Sequence, residues 1–244
     1  MLTSLLLFLM NPQTTTLPLL ALAVAAGAGF AVRERRVADP FVDLRVLAGN
    51  VPLVATYART LLTFIVTYCF LYGFAQWLED GRGLSASATG LVLIPIFGMG
   101  IAVASATGRR PEIRGKLIVG ATAQVAACVA LLFLQAGTAI WLLLALGLVV
   151  GIPQGLNNLA NQNALYHQAE PARIGSSAGL LRTFGYLGAI VASAATGVFF
   201  GSSADTAGLH HLALFMLTSA VLFLTLTLLD RSLGQVGRGE DTTD

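Results

Sequence analysis

Charge is scarce in this chain of 244 residues: Asp, Glu, Lys and Arg make up 11% of it, against 56% for hydrophobic types. Soluble domains carry about 25% charged residues, so an ordinary water-facing surface is excluded. Cysteine is nearly absent. Cys69 and Cys128 stand alone in apolar surroundings, which excludes a disulfide framework and any cysteine metal motif and leaves them as small packing residues. There is no glycine-rich phosphate loop, no metal-ligand spacing and no nucleophile–base pair, so catalysis, a metal and a cofactor are not expected. Carboxylates are missing from every apolar block: Glu79, Asp80, Asp205 and Asp230 fall at block edges or outside, and His167, His210 and His211 lie near them. Proton-coupled transport needs a group inside the membrane that changes charge, and no block offers one.

What is present is a series of long apolar blocks, each close to the roughly 20 residues that cross a bilayer core. They fall at about Leu17–Val32, Pro52–Trp77, Leu84–Ala106, Lys116–Leu134, Thr138–Asn158, Gly175–Phe200 and Leu209–Leu229. This pattern predicts an all-α polytopic membrane protein with the lipid bilayer as its first partner and no nucleic-acid partner. Basic residues alternate between the connections. Arg33, Arg35, Arg36 and Arg45 crowd the first, Arg109, Arg110, Arg114 and Lys116 the third; Arg173 lies in the fifth, and Arg231 and Arg238 follow the last block. The second holds only Arg82, while the fourth ("QAGTA") and sixth ("GSSADTAG") hold none. Positive loops stay cytoplasmic, so the odd connections and the C-terminus are expected inside the cell membrane. The opening "MLTSLLLFLM" lacks the positive n-region of a signal peptide. It reads as the outer end of a crossing that begins before Met1, with "NPQTTT" as an external turn.

The last six blocks divide into two triplets, and the second block of each opens alike. "LSASATGLVLIPIFGMGI" and "IGSSAGLLRTFGYLGAI" both carry small residues, then Gly-Leu, then further glycines. Inverted three-plus-three repeats of this kind build secondary transporters, with the substrate site at the repeat interface.

Several polar residues interrupt the blocks. Arg182 has Ala178, Gly179, Gly185 and Tyr186 at helical spacing. These small residues, with Gly175-x-x-x-Gly179, would admit a close helix neighbour and turn the arginine toward protein or a water-filled cavity. Snorkelling to the nearby interface is the other reading. Arg59 shares a face with Thr56, Thr63 and Thr67, a polar stripe suited to an aqueous pathway or to threonines bonding back to their own helix. Gln154, Asn158, Asn161 and Gln162 share a face, with Asn157 beside it. Neutral amides hydrogen-bond a substrate without the desolvation cost of a fixed charge; they also glue helices together, and the crossing ends near Asn158 in a third reading. Pro95 and Pro153, with their neighbouring glycines, are expected to kink two blocks. The candidate cavity residues are therefore Arg59, Thr63, Gln154, Asn158, Asn161 and Arg182.

Three stretches resemble the major facilitator superfamily, and within it the fourteen-span drug:proton antiporters. They are "VRERRVADPFVDLRVL", "QWLEDGRGLSASATGLVLIP", and "GLVVGIPQGLNNLANQNAL" with "RIGSSAGLLRTFGYLGAI". The resemblance implies a C-terminal six-helix bundle over residues 51–230, preceded by linker helices and a cytoplasmic link over 1–50 and followed by a polar tail, 231–244. It also implies that "GRRPEIRGK" is the cytoplasmic gating loop: Gly108 and Gly115 match its glycines, Glu112 its acidic position and Lys116 its basic one. Ile113 stands where arginine is usual. The implied function is efflux of amphipathic small molecules by a truncated, proton-coupled transporter whose protonatable carboxylates lie on a separate N-terminal half. The alternative is a membrane fragment or interaction module that does not transport.

Overall fold

The structure of the protein, a computed structural model, describes residues 17–36, 49–110, 112–201 and 203–234. The expectations for the opening apolar segment, for the link around Arg45 and for the tail beyond 234 lie outside those residues. Every regular element among the described residues is helical. Helix α1 covers Leu17–Arg36, where the first crossing was expected. Against the seven crossings expected, six helices among the described residues, all after α1, are each long and apolar enough to cross a membrane. They are α2 (Val51–Gly81), α3 (Ala86–Thr107), α4 (Ile113–Leu131), α5 (Ile140–Gln168), α6 (Ile174–Phe200) and α7 (Thr206–Leu229). A 3₁₀ turn, Arg231–Gly234, follows α7.

Local sequence explains most of the boundaries. Asn50, Ser85 and Asp205 begin α2, α3 and α7 by accepting from the backbone N–H of Leu53, Ala88 and Gly208, each satisfying a donor that the first helical turn leaves over. Helix α6 stops at Gly201, whose φ of 56° favours glycine. Helix α2 leaves α geometry twice, through π turns at Phe70–Phe74 and Trp77–Gly81, along a buried ladder of Phe70, Phe74 and Trp77 rings. Helix α5 differs most from expectation. It has 29 residues and runs ten positions past Asn158, to Gln168, a length of roughly 43 Å at about 1.5 Å per residue. Neither glycine nor proline occurs after Gly155 to stop it. Both α3 and α5 continue unbroken through Pro95 and Pro153.

The two triplets pack as an exchange of one for the other requires. The dominant pairings are α3 with α5 and α2 with α6; then come α4 with α5 and α2 with α7. Swapping α2–α4 for α5–α7 converts each of these pairings into its twin, and turns the α4–α7 and α2–α5 contacts into themselves. One large apolar core joins these helices, from Val66, Phe70 and Phe74 on α2 to Leu212 and Met216 on α7. A smaller core gathers Ile113, Leu117, Ala160, Ala164, Phe223 and Leu233 at the other end.

Glycine controls the two dominant pairings. A Cβ on Gly151 would lie 2.6 Å from the Ile96 carbonyl oxygen, one on Gly155 2.5 Å from that of Gly100, and one on Gly188 2.5 Å from that of Leu61. Close backbone approach is how helices associate where lipid removes the hydrophobic drive. The glycines around Pro153 thus serve contact with α3 within a continuous helix. Gly175 and Gly179, expected to admit a neighbour, face open space; the close approach on α6 comes ten or so positions later, at Gly185 and Gly188 against α2.

The connections segregate to opposite ends. At one end Arg82 donates to the Thr138 carbonyl at 2.6 Å, the Trp77 indole to Thr206, and the His210 ring lies 2.9 Å from the Leu134 carbonyl, which joins the second, fourth and sixth connections. At the other end Asn50 donates to the Gln168 carbonyl at 2.8 Å, and the Arg231–Gly234 turn packs on α4. Among the described residues, the third and fifth connections and the turn after α7, all arginine-bearing, therefore share one end. Gly155→Val is expected to lower thermal stability in detergent by about 1–3 kcal/mol or more, the scale of overpacking, whereas Gly179→Ala leaves it unchanged or slightly raised. Equal loss in both variants would remove close α3–α5 approach as the determinant.

Candidate functional site

The polar residues on α2, α5 and α6 separate into a closed ring and an open cleft. Arg59 belongs to the ring. It is fully buried, and its guanidinium donates from Nη1 to Asp230 Oδ2 at 2.6 Å, from Nη2 to Thr56 Oγ1 at 2.6 Å and from Nε to Asn161 Oδ1 at 3.3 Å. Thr56 passes its own hydrogen to Gln168, Gln168 donates to Ser232, and Ser232 donates to the second oxygen of Asp230. Taking a guanidinium out of water costs several kcal/mol, which only a well-placed counter-charge and further hydrogen bonds offset. Here the counter-charge arrives from the residue just past α7. The ring ties the start of α2, the end of α5 and the exit of α7 at the arginine-rich end.

The sequence suggested that Arg59 lines an aqueous pathway; in the structure it is buried and its charge is matched by Asp230. Asp230 was seen only as a block edge, 171 positions away. The clue was available in the imbalance: a buried arginine needs an acid, and few acids stand near any block end. Thr63 is also buried, its hydroxyl without a partner among the described residues.

The cleft lies between α5 and α6 with α2 as its floor. Its volume is about 240 Å³, and Thr60, Phe64, Asn158, Asn161, Gln162, Leu165, Tyr166, Ala178, Leu181 and Arg182 line it. Asn158, Gln162 and Tyr166 recur every fourth residue on α5 and are all exposed, as helical periodicity requires of one face. Their presence depends on the extension of α5 beyond Asn158. On α6, Gly175, Gly179, Arg182 and Tyr186 mark the matching open face; the first two would meet nothing on gaining a Cβ, and Tyr186 is 64% exposed. Arg182 makes no ion pair or hydrogen bond among the described residues, and no carboxylate lines the cleft. Asn161 belongs to both features, for it accepts from Arg59 behind and lines the cleft in front.

Gln154, from the same amide series, lies elsewhere. It borders a separate cavity of about 30 Å³ with Thr67, Gln124, Cys128 and Pro153. Next to that cavity Asn157 donates to Gln124 at 2.9 Å, a buried amide pair between α5 and α4 seated in the notch of Gly120. Thus of the six candidate residues, Asn158, Asn161 and Arg182 share the cleft; Arg59 stands behind it, and Thr63 and Gln154 are apart from it. Thr60, Phe64 and Tyr166 complete the cleft and were not singled out.

In the 108–116 connection, Lys116 Nζ donates to the Arg110 carbonyl at 2.6 Å and closes the turn. Gly108 caps α3; Glu112 precedes α4 without a side-chain cap and makes no ion pair among the described residues; Gly115 lies on the first turn beside it. The turn is held by lysine and backbone, so the structure holds no carboxylate lock there among the described residues.

Comparison with known proteins adds three findings. The family model described as Major Facilitator Superfamily matches residues 1–193. The chain is 30% identical over 196 residues to an uncharacterized MFS-type transporter of Bacillus subtilis (strain 168), YwoD, across 77% of this chain and 42% of that protein. It is 31% identical over 200 residues to the tetracenomycin C resistance and export protein of Streptomyces glaucescens, across 77% of this chain and 35% of that one. The matched portion is less than half the length of either relative.

Replacing Arg59 by methionine, or Asp230 by leucine, is expected to cost about 3–5 kcal/mol of stability, because each leaves one buried charge unmatched. The double variant Arg59→Met with Asp230→Leu is expected to regain much of that loss. Unfolding in graded denaturing detergent measures the cycle; additive losses would show that the two groups are not coupled.

Proposed function

The chain belongs to the major facilitator superfamily, and from that premise we propose that it forms one wall of the substrate pathway in an efflux transporter. The superfamily's members are carriers that move a solute without transforming it. In this reading α2–α7 are the C-terminal six-helix bundle of a fourteen-span drug:proton antiporter, and the cleft between α5 and α6 is its half of the substrate path. The observation that carries the reading is the cleft itself: a face of amides, a tyrosine and an arginine among helices otherwise apolar on the outside. Polar groups on such helices belong against protein or water rather than lipid. The cleft's roughly 240 Å³ falls below the roughly 300–1,000 Å³ usual for a small-molecule site, as suits one wall of a cavity closed by another.

The second wall would come from sequence corresponding to the rest of the relatives' length, on the same or a separate polypeptide. Proton coupling would belong to that wall, since no carboxylate or histidine lines this cleft among the described residues. Export as the direction follows the Streptomyces relative, which is described as a resistance and export protein. The arginine-rich end, with the Asp230 ring and the 108–116 turn, would face the cytoplasm of a cell membrane, as basic loops do. The cleft then opens toward the inner side, and the bundle alternates access by rocking against its partner wall.

Water accessibility tests this reading. Cysteine at position 158, 162 or 182 is expected to react with a membrane-impermeant maleimide applied to inside-out vesicles, while Ile101→Cys stays unreactive. All four positions are exposed in the structure, and both native cysteines are buried. Labelling at position 101 equal to that at 158, or no labelling at 158, 162 and 182, would place the cleft in lipid and end the reading.

A further inference from the structure

The hydrogen-bond partners already taken inside the cleft dictate the polarity of what it can bind. A guanidinium only donates. Because Arg59 Nε donates to Asn161 at 3.3 Å, the amide oxygen of Asn161 must face Arg59 and its Nδ2 must face away. That Nδ2 is buried and has no partner, on a side chain only 2% exposed that lines the cleft. Tyr166, an exposed side chain at the cleft, can offer a second donor. Its hydroxyl oxygen accepts from Gln162 Nε2 at 3.4 Å, which leaves the O–H free to donate elsewhere. Arg182 adds a permanent cation with no carboxylate in the lining to neutralise it. The positive charge of Arg59, by contrast, is matched behind the wall by Asp230 and contributes orientation only. The remaining lining, Phe64 and Leu181 among it, is apolar.

We infer that the cleft binds the anionic end of an amphipathic aromatic molecule, a carboxylate or phenolate, through Arg182, the Asn161 amide N–H and the Tyr166 hydroxyl, with the ring against Phe64 and Leu181. This rests on the reading of the cleft as part of the substrate path and names the class of substrate it takes. An unsatisfied buried donor penalises any ligand that cannot accept from it, so the Asn161 amide discriminates as well as binds. Hydrogen bonds to a carboxylate are shorter and about twice as strong as those between neutral groups, and Arg182 acts in surroundings that screen it less than bulk water. A cationic amphiphile of the same shape would bring its charge to an uncompensated guanidinium and offer nothing to the two donors.

The test compares two isosteric probes, 1-naphthoate and 1-naphthylmethylammonium, by equilibrium dialysis against the full chain in nanodiscs, with empty nanodiscs as the blank. Naphthoate is expected to bind saturably and at least about tenfold more tightly than the cation, the scale of one charge-assisted hydrogen bond. Arg182→Gln is expected to abolish that preference. Asn161→Asp, which keeps an acceptor for Arg59 but removes the amide donor, is expected to weaken naphthoate about tenfold without weakening the cation. Tighter binding of the cation, or a preference unchanged in both variants, overturns the charge assignment while leaving the cleft as a ligand site. Saturable binding of neither probe, with helix content intact by circular dichroism, overturns the inference, while maleimide labelling at 158, 162 and 182 decides separately whether the cleft is part of a water-accessible pathway.

Discussion

A guanidinium withdrawn from water must be matched by the protein, and the Arg59–Asp230 pair is the match on which the arginine-rich end of this molecule depends. Its 2.6 Å contact fastens the exit of α7 to the first turns of α2, and two further donors of Arg59 reach Thr56 and Asn161. Through Thr56 and Gln168 the same ring reaches the end of α5 and returns to Asp230 by way of Ser232. A polar ring of this kind is worth keeping only when each member is satisfied. Its effect on the cleft is indirect: it spends the charge of Arg59 internally and leaves the buried Asn161 amide nitrogen pointing away from Arg59 without a partner.

The second constraint is the solvent on the other side. Where hydrocarbon surrounds a helix, apolar side chains gain little by leaving it, so packing has to come from contact geometry. Gly151 and Gly155 supply that contact for α5 on α3, and Gly185 and Gly188 supply it for α6 on α2. These two interfaces are twins under exchange of the triplets, but the exchange carries α5 onto α2 and α3 onto α6, so the close glycines sit on non-equivalent helices of the two pairs. With its glycines used in this way, α5 continues as one helix through Pro153 and carries its amides well past the point where a single membrane span would end. The faces left over, with Ala178, Leu181 and Arg182 on α6 and Asn158 and Gln162 on α5, are those that frame the cleft.

Legibility in the sequence followed the range of the interaction. The helices were legible because apolar block length is a local property: the expected blocks match α1 to α7 closely except at the end of α5. The alternation of basic loops was legible too, and among the described residues the third and fifth connections and the turn after α7 gather at one end. Asn158, Asn161 and Arg182 could be assembled from helical spacing on two segments. Arg59 could not be interpreted, since its stripe of threonines reads the same whether it faces water or a carboxylate from the far end of the chain. Gly175-x-x-x-Gly179 misled for a related reason: small residues permit close approach without requiring it, and only the neighbouring helix decides which pair is used.

By itself, then, the sequence determined the solvent, the number and order of the long helices, and the end of the molecule that carries positive charge. Each of these follows from hydropathy and charge along a single segment. The tertiary structure alone decided which arginine is spent and which is available. Arg59 and Arg182 are both permanent cations in apolar helices, and they differ only in whether folding brings a carboxylate within hydrogen-bonding distance. Asp230 reaches the first, while nothing among the described residues reaches the second. A charge on a side chain is local, but its compensation is a fact of three-dimensional proximity.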